Sequence, residues 1–445
     1  MSAASSSPAV PGPSGITEQG GAAGTNTWDA FNDRQRWVLI FVLFLVMSSG
    51  AIDRTIVSIV FEPIKQEFHV SDTALGLMTG VAFGIFYAIL GIPLGRYADR
   101  GDRRLLITVS VAVWSILTAT CGLARSFLQL FLMRIGVGIG EAGGSGAPLF
   151  SLLADYFPPE RRAKAIGFIQ TSTISGAILG LIVGGYVAQY YGWRNTFILA
   201  GLPGLLLAAI AGLILREPRK HHSLVLPDPG GESTLDALRA LTRKPTFIYT
   251  ILAQTCFTFA TAALIFEQSY VTRVLHVGVA ETGLATGVLS IGSIIAGNAF
   301  GGILSDRLAR KDITWLCRLP GYGMMLTFPF YVASHLVPGL VAYSLLGGIA
   351  ATLMVGVLPA MMSAMLAVVG GTRRATGLAI AMLFTNLVGL TLGPIVTGML
   401  SDRLALSIGP AEGLRWAIVL ALSTFYPTGW FMLRAARTIQ ADFEL

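Results

Sequence analysis

Four ionisable residues stand in stretches that are otherwise free of charge. Asp53 and Arg54 fall in Ser49-Gly-Ala-Ile-Asp-Arg-Thr55, while Arg134 and Glu141 belong to a run ending at Pro148 whose other residues are small or aliphatic. In a bilayer a charge near the centre costs about 2.5–3.5 kcal/mol on insertion scales. Four unpaired charges would then cost roughly 10 kcal/mol, which rivals the net stability of a whole domain. They must face one another or a watery cavity. The chemistry open to such a set is proton binding and charge exchange. A carboxylate gains proton affinity in low dielectric and loses it beside a guanidinium, so an ion pair that opens and closes switches the site.

The spacing restricts who can pair with whom. Arg134 and Glu141 are seven residues apart, about 10 Å along one helix face, too far for a direct bridge but suited to partners on a neighbouring helix. Asp53 and Arg54 point about 100° apart and cannot both address one spot. One arrangement sets Asp53 against Arg134. Glu267, in the seventh apolar stretch, either lines a cavity or sits at an interface. Gln170, Thr171, Gln254, Thr255 and Asn386 are polar candidates for a cavity wall, with helix-packing hydrogen bonds as the alternative.

The chain that must position these residues has 445 residues, 53% of them hydrophobic and 12% charged. Soluble domains carry about twice that charged fraction, so a polytopic membrane protein is expected. Apolar stretches of helical spanning length recur at 37–61, 74–95, 105–123, 127–153, 164–189, 195–215, 247–267, 282–304, 312–333, 338–368, 375–400 and 414–435. These predict an all-α integral membrane fold of twelve helices. With both termini on one side, 23 of the 31 Lys and Arg fall on that side, 6 on the other and 2 within spans. The positive-inside bias therefore puts both termini in the cytoplasm, accounts for the net charge of +7, and removes the need for a nucleic-acid partner.

Residues 1–35 are expected to be a disordered tail, followed by a six-helix bundle over 36–216, a linker over 217–246, and a second bundle over 247–445. The linker holds His221-His222, read as solvated, and Leu235, Leu238 and Leu241 at the spacing of an amphipathic surface helix. Cys121, Cys256 and Cys317 lie in apolar stretches without CxxC spacing and read as small buried residues. The glycines at 136, 138, 140, 143, 144 and 146 contain GxGxxG, but within an apolar helix they fit close helix packing better than a dinucleotide site. No cofactor or metal is expected.

The sequence repeats itself. Residues 95–104 read GRYADRGDRR and residues 302–311 read GILSDRLARK, with Gly95, Asp99, Arg100 and Arg103 matching Gly302, Asp306, Arg307 and Arg310 at an offset of 207, and with Arg104 closing the first copy. Pro359 answers Pro148, which sets Leu345 opposite Arg134 and Thr352 opposite Glu141. The ionisable site thus belongs to the first half of a duplicated unit, a recurring transporter plan. The repeated loop resembles the signature of the major facilitator superfamily, although Asp102 stands where that family usually has Gly. The resemblance implies two pseudo-symmetric six-helix bundles rocking about a central site, with these loops as a cytoplasmic gate.

Asp53-Arg54 together with Arg134-x6-Glu141-Ala resembles the Spinster-like family. That likeness implies a secondary transporter of lysolipid or sphingolipid type, coupled to protons in bacterial members, working as a monomer in the inner membrane. Asp53 and Glu141 would then bind protons, while Arg54 and Arg134 would serve charge relay or an anionic head group. Glu267, on the reading that it lines the cavity, is a further residue for substrate contact or charge relay. A carrier of a small organic anion or drug-like compound is the alternative. The Gly-Pro that antiporters of the superfamily often carry in helix 5 is absent at Gly180-Leu181 and present at Gly393-Pro394, which leaves antiport open. A membrane enzyme is disfavoured, since there is no nucleophile with a base and no HExxH. A continuous pore would instead indicate a channel.

Overall fold

The computed structural model describes residues 27–218, 234–369 and 374–443. Among them every regular element is helical. Asn32 opens the first helix with a capping box, accepting from the Gln35 N–H at 2.9 Å and donating its own N–H to Gln35 Oε1 at 3.0 Å. The first half comprises α1 (Asp33–Ile59), α2 (Phe61–Phe68), α3 (Asp72–Gly80) running through a π turn at Val81–Phe86 into α4 (Tyr87–Arg100), α5 (Arg103–Cys121), α6 (Phe127–Gly144), α7 (Ala147–Tyr156), α8 (Pro159–Tyr191) and α9 (Trp193–Ile214). A short α10 (Thr234–Thr242) precedes the second half. That half begins with α11 (Pro245–Ala263), a 3-10 turn at Leu264–Phe266, α12 (Glu267–Val274), α13 (Val279–Ala309) and α14 (Trp315–Leu336). It continues through α15 (Leu340–Gly356), α16 (Leu358–Val369), α17 (Arg374–Phe384), a second π turn at Thr385–Leu390, α18 (Thr391–Ile408), α19 (Pro410–Leu422) and α20 (Phe425–Ala435).

Ten helical stretches among the described residues are long and apolar enough to cross a membrane. The two expected spans outside that set are helical as well. Arg134 and Glu141 dilute the hydropathy of α6, which breaks at Gly146 (φ +72°) before Pro148 starts α7. Two prolines, Arg318 and His335 do the same for α14.

The tail ends sooner than expected. Thr27–Ala30 form a 3-10 turn, Phe31 stacks on Tyr156 with ring centroids 3.8 Å apart, and the Arg162 guanidinium lies 5.2 Å from the Trp28 ring. Aromatic burial docks residues 27–35 where composition alone predicted disorder. The linker helix is present as α10, with Leu241 buried, Leu238 half-buried and Asp236 and Arg239 exposed. It rests on α11 and α17. His221-His222 lie outside the described residues. Cys121 and Cys317 are buried and Cys256 half-buried, all as free thiols.

The turns at 101–102 and 310–314 share one end of the bundle with the termini, here the terminal face; the turns at 60–71 and 275–278 lie at the far face. Two seams join the halves, α3 against α18 and α8 against α13. Both are drawn tight near the far face. A Cβ on Gly76 would run into the Pro394 carbonyl, and one on Gly283 into that of Leu181. Toward the terminal face α4 packs on α6 and α7 of its own half, and a Cβ on Gly95 or Gly302 would meet nothing within 4 Å. Among the described residues the closest backbone approaches between the halves lie on the far side of the bundle.

Candidate functional site

The four charges of the first half meet as two ion pairs between α1 and α6. Arg134 Nη1 donates to both oxygens of Asp53, at 3.0 and 2.8 Å, and Thr118 of α5 donates to Asp53 Oδ1 at 2.5 Å. Asp53 is 3% and Arg134 1% exposed. The second pair joins Arg54 Nη1 to Glu141 Oε2. Helical side chains lean toward their own N-terminus, so Arg54 reaches back past Gly50 to Glu141. A Cβ on Gly50 would lie 3.7 Å from Arg54 Nη1 and 3.8 Å from Glu141 Cδ. That lean lets adjacent residues serve partners two turns apart. Glu141 is fully buried and its Oε1 has no hydrogen-bond partner, whereas the Arg54 side chain is 36% exposed.

The glycine run on α6 packs that helix closely on α5. A Cβ on Gly140 would stand 3.0 Å from the Trp114 backbone nitrogen, so the GxGxxG match is a packing surface. Beyond it, Ser145 Oγ donates to the Glu141 carbonyl at 2.7 Å and lies 3.3 Å from Tyr87 Oη, which ties the break at Gly146 to the π-turned second helix.

Arg54 opens onto a cavity of about 580 Å³ between the halves, walled also by Thr55, Tyr87, Leu264, Asn386 and Pro394. Arg134 touches the same cavity from behind. Asn386 therefore joins the site. Thr171 and Thr255 donate to the carbonyls of Phe168 and Ile251 in their own helices, which is the packing alternative, and Gln170 is exposed.

Glu267 does not join this cavity. The 3-10 turn at Leu264–Phe266 rotates it into a separate one of about 230 Å³ among α13, α14 and α15, where Tyr343 Oη donates to its Oε1 at 2.5 Å. Leu264 borders both cavities.

The signature loops divide. Arg103 is fully buried, paired with Asp155 at 2.6 Å and with Glu217, and it donates to the Ser151 carbonyl at 3.0 Å. Arg104 donates to the Gly212 carbonyl at 2.9 Å. Asp102 caps α5 by accepting from the Leu105 N–H at 3.0 Å, which gives its departure from Gly a local reason. Gly95 closes nothing at this end, and the side chains of Asp99 and Arg100 lie outside the described set. In the second copy Asp306, Arg307 and Arg310 are exposed.

Sequence reasoning missed the charges that bind the halves at the far face. Arg273 of α12 holds Asp72 at 2.9 and 3.0 Å and also pairs with Glu62, while Lys65 Nζ lies 2.6 Å from Asp72. Ser401 donates to Asp72 at 2.6 Å, and Asp402 accepts from the N–H groups of Asp72 and Thr73 at 3.0 and 2.8 Å, capping α3 from the other half. A signal existed: Leu-Ser-Asp-Arg-Leu-Ala occurs at both 304–309 and 400–405. Nearby, Arg194 donates to Glu67 at 2.6 Å, which holds that carboxyl below its usual range.

Comparison with known proteins agrees with this architecture. The Major Facilitator Superfamily profile matches residues 42–270. An MFS-type efflux pump of Mycolicibacterium smegmatis is 31% identical over 92% of this chain and 94% of its own length. Protein spinster homolog 1 of Homo sapiens is 27% identical over 91% of this chain and 81% of its own. A probable galactarate/D-glucarate transporter of Bacillus subtilis is 27% identical over 67% of this chain and 72% of its own. The crystal structure of a bacterial homologue of the human lysosomal transporter Spinster, inward-facing and unoccupied, superposes with a TM-score of 0.82 at 31% identity, covering 93% of this chain and 99% of that one. The chain belongs to the major facilitator superfamily, and within it is similar to the Spinster transporters.

Proposed function

We propose that the protein moves an amphipathic, lipid-like molecule of lysolipid or sphingolipid type through the central cavity by alternating access, coupled to protons at Asp53 and Glu141. The observation that carries this reading is the pair of bridges, Asp53–Arg134 buried and Arg54–Glu141 opening through Arg54 onto a cavity wall that both halves share. Each bridge links α1 to α6, so relative movement of those helices breaks it and raises the proton affinity of the carboxylate left behind. Arg54, open to the cavity, offers an anionic head group a partner, and Leu264, Ile265, Leu390 and Pro394 offer an alkyl chain apolar contact.

The excess of Lys and Arg at the terminal face supports termini in the cytoplasm of a bacterial inner membrane. The far-face cluster around Asp72 then corresponds to a closed outer gate, and the state proposed is inward-facing, as in the similar bacterial Spinster homologue. In the alternate state the exposed Asp306 and Arg307, with Asp99 and Arg100, would meet across the terminal face as the inner gate. The domain division proposed is a bundle over 36–216, a linker over 217–246 and a bundle over 247–445, acting as a monomer. A second reading, a carrier of small organic anions, is favoured by the exposed Arg54 and the sugar-acid transporter among its relatives.

Counterflow in proteoliposomes tests the two readings. Labelled lysolipid or sphingoid phosphate should exchange faster than in protein-free vesicles, and hexuronate should not. Exchange of the organic anion alone would replace the lipid reading with the second one.

A further inference from the structure

The cavity around Glu267 is lined mainly by acceptors. Among the described residues no lysine, arginine or histidine lies within ion-pair distance of this carboxylate, and the hydrogen bond it receives comes from Tyr343. The hydroxyls on the same walls have already given their protons away. Thr286 donates to the Thr282 carbonyl at 2.7 Å, Ser290 to that of Thr286 at 2.7 Å, and Ser293 to that of Gly348 at 3.0 Å. Thr286 receives a further hydrogen bond from Gln268 at 3.1 Å. With their protons spent, Ser290 and Ser293 keep acceptor capacity on the cavity wall. Ser344 Oγ lies buried there without a partner.

A ligand matched to this pocket brings donors and positive charge to the carboxylate and the serine oxygens. Among common groups the ammonium, with three N–H donors and a positive charge, meets that description. It also relieves the carboxylate of standing unpaired in low dielectric. Tyr331 and Tyr343 supply ring faces of the kind that attract cations. A bare metal ion fits the oxygen donors less well, because about 230 Å³ is room for several heavy atoms and Leu289, Ile294 and Met354 add apolar wall. We propose that this pocket is a second recognition site, separate from the central cavity, which takes the ammonium group of an organic cation with a short alkyl chain.

The test uses the full-length protein in detergent at neutral pH, with hexylammonium chloride as probe and hexanol, hexanoate and sodium chloride as controls, read by calorimetric binding. Hexylammonium should bind saturably, hexanol and hexanoate at least tenfold more weakly, and sodium chloride should not compete. Glu267→Gln should weaken hexylammonium at least tenfold, and Gly348→Leu, whose Cβ would stand 3.6 Å from Leu289 and 3.9 Å from Ser293 of the pocket wall, should do the same. Arg239→Gln on the exposed side of α10 should leave it unchanged, and because the assay reads binding alone, its outcome is independent of the transport reading. Binding of equal strength in both pocket variants would overturn the proposal. So would hexanol binding as tightly as hexylammonium, or competition by sodium at millimolar concentration.

Discussion

The two halves treat buried charge in opposite ways. In the first half Asp53, Glu62, Asp72, Arg103, Arg134 and Glu141 are all buried and all ion-paired. In the second half Glu267 faces a cavity with a tyrosine hydroxyl and no cation among the described residues. Equivalent helices of a duplicated unit have thus diverged. One half keeps charges in bridges that helix movement can exchange, and the other keeps a carboxylate available to something that enters.

Breaking a first-half pair should have the largest effect. Arg134→Leu strands Asp53 at 3% exposure, so it should lower stability by about 3–5 kcal/mol, read as thermal unfolding in detergent. Adding Asp53→Leu should recover most of that loss; unchanged stability of the single variant would mean the bridge holds nothing. Next comes Arg273, the second-half cation that pairs with first-half acids. Arg273→Ala removes its bonds to Asp72 and Glu62 and should favour opening of the far face by about 1–3 kcal/mol. Maleimide labelling of Thr55→Cys from the far side should rise accordingly, by roughly 5- to 150-fold. Labelling at the parental rate would show that the seam glycines alone close that face.

The smallest effect belongs to Glu67 and Arg194, whose side chains are 41% and 38% exposed. Glu67→Gln should cost less than about 1 kcal/mol. The folded carboxyl titrates below its unfolded range, so the pair's contribution is present above the unfolded value and is lost as pH falls through the folded one. An unfolding temperature whose difference from Glu67→Gln stays constant down to acid pH would contradict that assignment.

Much of this was legible in the sequence, for physical reasons. Apolar length fixes where helices cross, and the expense of charge in hydrocarbon picked out Asp53, Arg54, Arg134 and Glu141. The Asp53–Arg134 bridge was among the arrangements anticipated. Its companion was not, because the Arg54–Glu141 bond depends on a side chain leaning back past Gly50. Glu267 was ambiguous for a similar reason: the 3-10 turn before it decides which cavity it enters, and Leu264-Ile265-Phe266 reads like any apolar helix. The far-face cluster was hidden because Glu62, Lys65 and Asp72 stand at turns, where single charges are usually solvated. Their meeting with Arg273 and Asp402 is a tertiary event. The duplicated loop did mark the repeat, but its buried partners, Asp155 and Glu217, lie outside the motif.

The central claim is that the protonation state of Asp53 biases the rocking of the two halves. Spin labels at Arg96 on α4 and Lys311 beyond α13 report the width of the terminal face by pulsed electron resonance. Across a pH titration the parent should shift between a wide and a narrow distance population, and Asp53→Asn should hold one distribution throughout. An Asp53→Asn protein that shifts with pH as fully as the parent would contradict the account.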